Sequence, residues 1–220
     1  MEIVPVDLFG AHVDVPFLPP LGFQQARLEE FGSKLCDPQK GLGLRPELIR
    51  LKKWDDLFGY ELAAQFFGEN GSITRTAERI KLGVRNGRTQ GDWNIIQQTL
   101  IKFYNLMQFP ASSLTHLSAH AHARFESPDQ RDSYLNQFTA NALVSKGAAL
   151  GYVRILDWEK DIRVLIEHSN IVPNAVFMAW DTQFTNDQNW DSFLSSLPQV
   201  MENSANIFDI GFEPFKERVQ

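Results

Sequence analysis

Two segments of the sequence place polar, histidine-rich positions at every second residue. His12 and Asp14 alternate with apolar residues in the first segment, and His116, His120 and His122 do so in the second. Imidazole and carboxylate are common ligands of zinc and other divalent metals in proteins. If the two segments are strands that lie side by side, His12, Asp14, His120 and His122 could converge. One hypothesis is therefore a metal-binding protein or a metal-dependent hydrolase centred on these four residues.

The same alternation is also typical of a strand with one side in water, where histidine needs no special role. On this interpretation the histidines belong to a polar surface that can contact a ligand or a partner. Such a surface gains positive charge below about pH 6.5, which predicts pH-dependent binding.

Basic residues occupy one side of a further predicted strand. Arg79, Lys81 and Arg85 are two or four residues apart there, and such a row can receive phosphate or an acidic partner. It is equally typical of the charged, water-facing side of a soluble sheet. Trp180 and Asp181 have no counterpart elsewhere in the chain and are a candidate ligand contact. The full set of candidate ligand- or partner-binding residues is His12, Asp14, His116, His120, His122, Arg124, Arg79, Lys81, Arg85, Trp180 and Asp181.

Motifs of common enzyme families are absent from the sequence. It contains no glycine-rich phosphate loop, no nucleophile elbow and no His-Glu-x-x-His. Cys36 is the only cysteine, which excludes an intrachain disulfide and a cysteine-rich zinc site. Its neighbour Asp37 opposes thiolate formation, so an inert thiol is expected. These observations favour a protein that is not an enzyme, and no catalytic residue, bound metal or cofactor is assigned.

The composition is that of a soluble globular protein. The chain has 220 residues, of which 43% are hydrophobic and 22% charged, and its formal net charge is −6. This acidic balance argues against duplex nucleic acid as the main partner, because such binding requires neutralisation of phosphates. No run approaches the roughly 18 apolar residues of a membrane span, and the N-terminus lacks a basic region followed by an apolar one. A cytoplasmic protein without a membrane partner is predicted.

Apolar periodicity predicts eight strands and four helices. The expected strands cover residues 8–17, 48–51, 60–66, 80–84, 117–125, 152–156, 162–166 and 176–180, and the expected helices cover 23–35, 92–107, 128–138 and 190–201. A turn at 68–71 predicts a hairpin over residues 57–85, formed by the strands 60–66 and 80–84. Asp92 and Ser127 are predicted N-caps, and so is Asn186 or Asp187 for the last helix. Pro198 predicts a kink or a break in that helix.

The two halves of the chain, 1–110 and 111–220, show the same order of elements and short sequence matches. Residues 11–20 align with 119–128 at an offset of 108, and Trp54 aligns with Trp158 at an offset of 104. The helix that carries Trp93 aligns with the helix that carries Trp190 at an offset of 97. Recognising such a repeat matters because an overlooked repeat leads to a wrong fold assignment. We therefore predict a single domain, 1–220, built from two repeats in which the four tryptophans are structural anchors.

The predicted fold is α+β, with β-α-β-β-β-α halves that form one antiparallel-rich, saddle-like sheet with its helices on one face. This order of elements resembles that of TATA-binding proteins. The resemblance is one of topology alone, because no sequence motif of that family is present and the acidic charge departs from it. It implies that one side of the sheet carries the helices and the other side stays open.

The favoured functional hypothesis is a non-enzymatic binding module, such as an accessory or regulatory subunit. It would hold a protein partner, or a small ligand, on the open face or the edges of the sheet. The metal-dependent alternative needs His12, Asp14, His120 and His122 to meet. A weaker alternative is nucleic-acid binding through the basic row, extended by Arg75 and Arg88.

Overall fold

A computed structural model describes residues 2–17, 20, 25–53, 59–107, 114–139, 152–157, 162–185 and 190–213. Its strands are β1 (Glu2–Val4), β2 (Val6–Pro16), β3 (Ile49–Lys53), β4 (Tyr60–Phe66), β5 (Gly71–Arg75), β6 (Arg79–Gly87), β7 (Leu114–Arg124), β8 (Tyr152–Asp157), β9 (Ile162–His168), β10 (Ala175–Thr185) and β11 (Ile210–Phe212). Its α-helices are α1 (Gln25–Cys36), α2 (Gln90–Met107), α3 (Pro128–Asn136) and α4 (Trp190–Ile207).

Nine strands form one antiparallel sheet in the order β3-β4-β5-β6-β2-β7-β10-β9-β8. β1 and β11 form a separate parallel pair. The mixed α+β class with a large antiparallel sheet is thus confirmed. The strands predicted to begin the two halves, β2 and β7, are neighbours at the centre of the sheet. The internal duplication itself stays a prediction.

The hairpin predicted for residues 57–85 is wrong, because the unpredicted strand β5 lies between β4 and β6. Arg75 of β5 faces Leu62 on one side and Ile80 on the other. β5 has five residues with a single apolar residue, Ile73, in its interior, which is too little alternation to identify a strand. The first half therefore has four strands, not three, between its two helices.

The main core lies on one side of the sheet, and a small buried cluster of Leu8, Val172 and Ala175 is separate from it. Phe9, Val13 and Val15 of β2 have no exposed surface, and they belong to the same apolar cluster as the inward residues of all four helices. Trp93 of α2 packs edge-to-face on Phe9, with ring centroids 5.8 Å apart. The other side of β2, which carries His12, faces away from these four helices.

One of the two predicted N-caps that the structure describes is correct and the other is not. Gln130 donates its backbone N–H to Ser127 Oγ, as predicted for that N-cap. The prediction for Asp92 is wrong by three residues, since Thr89 is the N-cap and accepts the Asp92 backbone N–H through Oγ1. Asp92 instead accepts the Thr89 N–H, which completes a reciprocal capping box. Phe23, Trp54, Trp158 and the predicted cap at 186–187 lie outside the described residues.

Helix α4 continues through Pro198, so of the predicted kink or break the break is wrong, and the kink stays a prediction. Proline has no N–H, which leaves the carbonyl four residues earlier, that of Leu194, without its helical donor. The side chain of Gln97 on α2 supplies the missing bond, with Nε2 3.2 Å from the Leu194 oxygen. Among the described residues no helix is long and apolar enough to cross a membrane.

Replacing Gln97 by alanine should lower the free energy of unfolding by about 1–2 kcal/mol, because the Leu194 carbonyl then stays unsatisfied. In a Pro198→Ala background the same change should cost much less, since the introduced alanine can donate its own backbone N–H to that carbonyl. Urea unfolding of the four proteins of this cycle measures the difference. Gln98→Ala, at an exposed position on the same helix, is the control. Equal costs in both backgrounds would contradict the assigned bond.

Candidate functional site

The polar side of the sheet brings residues from four strands into two rows. In the first row His12 faces Ser118, Ser118 faces Asp181, and Asp181 faces Arg163. Side chains that face each other across antiparallel strands point to the same side of the sheet and are close neighbours. This row therefore crosses the centre of the sheet from β2 to β9.

A second row lies beside the first. Asp14 faces His116, and His116 faces Gln183. The side chains of the two rows line a pocket of about 290 Å³. Ser118 is short and only 7% exposed, so it forms the floor between longer neighbours. His12 is exposed at the rim.

Asp14 joins this pocket to the basic row predicted on β6. Its Oδ2 atom lies 3.4 Å from Arg79 Nη1 and 3.6 Å from Lys81 Nζ. These ion pairs are partly exposed and contribute little to stability. Their main effect is to balance the charge of Asp14. Arg85, the third member of the row, lies exposed beyond them on β6.

Asp181 is the acidic group at the other wall of the pocket. It makes no hydrogen bond or ion pair shorter than 4 Å with the described residues. Its negative charge and that of Asp14 both favour the protonated form of His12, but desolvation outweighs them and lowers the pKa of His12. At neutral pH the pocket therefore combines the neutral imidazole of His12 with a carboxylate that pairs with none of the residues that the structure describes.

His116 has a defined orientation at the end of the pocket. The amide nitrogen Nε2 of Gln183 lies 3.3 Å from His116 Nδ1. Since the amide can only donate, Nδ1 accepts, and the proton of the neutral ring is on Nε2. His116 thus presents a hydrogen-bond donor.

His120 and His122 lie further along β7, outside the pocket lining. Their ring centroids are 6.0 Å apart, and both pack against Phe177 of β10. Burial lowers the pKa of His122. Burial, followed by the neighbouring imidazoles of His122 and His12, lowers the pKa of His120 to about 4. Both rings are therefore neutral at physiological pH.

His122 is held by a turn that follows β9. Its Nδ1 lies 2.8 Å from Ser169 Oγ. That hydroxyl already accepts the backbone N–H groups of Ile171 and Val172, so its proton is donated to the ring. His122 is 4% exposed and acts as a structural residue at this place.

The four predicted metal ligands do not converge. Asp14 faces His116, and His122 is six residues further along β7, a separation of about 20 Å at the rise of an extended strand. Because β2 and β7 run in opposite directions, residues aligned by the repeat move apart along the pair. Within the described ranges no three or more His, Cys, Asp or Glu side chains are arranged to hold a metal ion.

Two further candidates lie away from the pocket. Trp180 is 2% exposed and points into the core, where it packs edge-to-face on Phe212. Successive residues of a strand point to opposite sides, so Trp180 and its neighbour Asp181 cannot share a ligand site. Arg124 lies at the end of β7, with Nε 3.2 Å from Asp7 Oδ2.

Sequence reasoning missed three residues of the two rows, Ser118, Arg163 and Gln183, and also Leu117 and Thr182 of the pocket lining. The alternation of β10 was the available signal, because it places Gln183 on the same side as Asp181. No local sequence pattern identifies Arg163 as a site residue. It belongs to the row only because β9 lies next to β10 in the sheet.

No protein-family model and no curated protein sequence matches this chain. Among solved structures, the TBP of Methanococcus jannaschii is similar with a TM-score of 0.32 and 7% identity, over 94% of this chain and 99% of that one. A TM-score this low does not establish a common fold or function.

Proposed function

We propose that this protein is a non-enzymatic binding module, an accessory or regulatory subunit, that holds a protein partner on the polar face of its sheet. The observation that carries the proposal is the pocket between His12 and Asp181. It gathers polar side chains on a sheet face that none of the four described helices covers. Asp181 has no ion pair with another residue that the structure describes, which makes its charge a suitable contact for a partner.

The extent of the face favours a protein over a small molecule. Nine strands at about 4.8 Å spacing span about 40 Å, which is wide enough for the roughly 800 Å² that each partner contributes to a standard protein–protein interface. Its charges are unevenly distributed. Arg50 and Lys52 on β3 are exposed near one edge, Arg79 and Lys81 flank Asp14, and Asp181 lies past the centre. Such a pattern orients a partner and selects against others.

Asp181 is the expected anchor point for the partner. A lysine or arginine side chain that enters the pocket would meet this carboxylate, while Ser118 and His12 offer further polar contacts. Central, partly desolvated contacts of this kind contribute most of the binding free energy of an interface. The proposal includes the predicted duplication, which is supported by the central position of β2 and β7 and by the helix and strands that follow each of them.

Asp181→Asn should weaken partner binding at least about tenfold, because it removes the charge at the anchor point. Asp191→Asn removes an equal charge at an exposed position in the first turn of α4 and should leave binding unchanged. A tagged full chain is purified from its native cell, the partner is identified by mass spectrometry, and the dissociation constant is then measured with purified components.

Two outcomes would refute this proposal. One is equal affinity of the partner for wild type and Asp181→Asn. The other is a loss of affinity in Asp191→Asn alone, which would place the interface on the helix side.

A further inference from the structure

A second cavity lies on the opposite side of the sheet, between the helices and the core. It has a volume of about 300 Å³ and is enclosed by α2, α4 and the strands β2, β7 and β11. This volume is at the lower end of the range in which proteins bind small molecules, roughly 300–1,000 Å³. An occupant would therefore be small.

The floor of this cavity is apolar and made of buried residues. Trp93, Ala121 and Met201 line it and are each at most 3% exposed. The space exists because Ala121 is short where a strand residue could carry a larger side chain. Phe212 closes one side. Its strand is held by parallel pairing with β1 and by the Glu213 N–H, which donates to the Val4 oxygen at 3.0 Å.

The mouth of the cavity is acidic. Glu202 from α4 and Glu213 after β11 are both exposed and both belong to the lining, as does the neutral amide Gln90. No lysine, arginine or histidine belongs to the lining that the structure describes. An apolar floor below two carboxylates is complementary to a molecule with an apolar body and a positive end.

The N-terminus of α2 is near this mouth, and a helix N-terminus by itself favours an anion. Here the Asp92 carboxylate lies in the first turn of α2 and accepts the backbone N–H groups of Arg88 and Thr89. Its negative charge offsets the partial positive charge of the helix end. The two glutamates therefore determine the sign of the preferred ligand.

We propose that this cavity is a binding site for a small organic cation with an apolar body, an alkyl- or aralkylammonium ion. The apolar body lies on Trp93 and Met201, and the ammonium group lies at the mouth beside Glu202 and Glu213. The site is on the helix side of the sheet and is independent of the polar-face pocket.

Three molecules of similar size and different charge test this site on the full chain. Phenethylammonium is the cation, 2-phenylethanol the neutral analogue and phenylacetate the anion. Binding is followed by calorimetry and by the methyl NMR signal of Met201, one of four methionines, assigned with Met201→Leu. The cation should saturate with a dissociation constant of about 1 mM or tighter. The alcohol should bind more weakly, and the anion most weakly.

Two variants test separately whether binding needs the cavity and whether it needs the two glutamate charges. Ala121→Leu fills the cavity and should abolish the shift of the Met201 signal. The double change Glu202→Gln and Glu213→Gln removes only surface charge and should weaken the cation about five- to tenfold without weakening the alcohol. Glu78→Gln, an exposed residue in the turn before β6, is the matched control and should change nothing.

The proposal is overturned if the alcohol binds as tightly as the cation, or if the double glutamine variant keeps the affinity of the wild type for the cation. Absence of saturable binding up to about 10 mM would also overturn it. The double variant keeps the test decisive if Ala121→Leu does not fold, because it leaves every buried residue intact.

Discussion

Lowering the pH from 6.5 to about 4 should destabilise this protein by up to about 3 kcal/mol through His120 alone. The ring lies over β2 among His12, His122 and Phe177, and its pKa falls from 6.5 to about 4 in the folded chain. Between these two pH values the unfolded chain binds a proton at His120 that the folded chain does not. The free energy of unfolding therefore decreases as the pH falls through this window.

Comparison of the wild type with His120→Gln isolates this contribution. Denaturant unfolding of both proteins is measured at several pH values between 8 and 4. Carboxylates that take up protons in the same window do so in both proteins, so their contribution cancels in the comparison. The difference at pH 8 reports the packing change alone, and the gap between the two curves should then narrow or reverse toward pH 4. Parallel curves would show that His120 remains accessible to protons in the folded state.

Gly10→Ala should lower the free energy of unfolding by about 2–3 kcal/mol because the site has no room for a methyl group. A Cβ atom at Gly10 would lie 2.5 Å from the Val84 oxygen, 2.7 Å from His120 Cε1 and 2.8 Å from the Arg85 Cα. Two of these neighbours are backbone atoms at the bulge between β2 and β6, where Asn86 has a φ of +63°. A movement of the His120 ring would leave the two backbone contacts in place. Room for the methyl group therefore requires the central strands to separate.

Gly83→Ala is the matched control on the neighbouring strand. A Cβ atom there would lie 3.6 Å from Ser72 Oγ and 3.8 Å from His12 Cβ, which are ordinary contacts. This change should leave stability unchanged or raise it by up to about 1 kcal/mol, since alanine restricts the unfolded chain. Thermal or urea unfolding compares the two variants. Similar values for both would mean that the bulge adapts freely and that His120 is not packed over Gly10.

The two experiments examine the same structural feature, the position of His120 directly above a glycine in the central strand pair. Because glycine has no side chain, the His120 ring can be buried against Gly10. This burial is the largest cause of the lowered pKa of His120. A variant that displaces the ring should therefore also weaken the pH dependence. Gly10→Ala is expected to show a shallower decline in stability between pH 6.5 and 4 than the wild type.

Several features were predictable from local patterns alone. The two-residue alternation in 8–17 and 117–125 predicted β2 and β7 and placed His12 with Asp14, and His116 with His120, on the polar sides of their strands. The capping pattern at Ser127 predicted the start of α3. These predictions succeed because the side-chain direction in a strand and the first hydrogen bonds of a helix depend on neighbouring residues in the chain.

Other features depend on contacts between distant segments. Strand β5 has almost no apolar signal of its own and is stabilised by its neighbours β4 and β6. Helix α4 passes through Pro198 because Gln97, about a hundred residues earlier in the chain, completes its hydrogen bonding. Local rules consider only the residues near the proline, so they predict a break.

The candidate site likewise has features that follow from local sequence and features that depend on contacts between distant segments. The sequence alone determined that His12, Asp14, His116 and Asp181 are polar positions next to apolar ones in extended segments. Only the tertiary structure decided that Asp14 faces His116 while His122 lies about 20 Å away. Strand order and register arise from the packing of all nine strands against the helices, and a shift of two residues would preserve every local pattern. The same register makes a pocket from His12, Ser118 and Asp181 instead of a metal site.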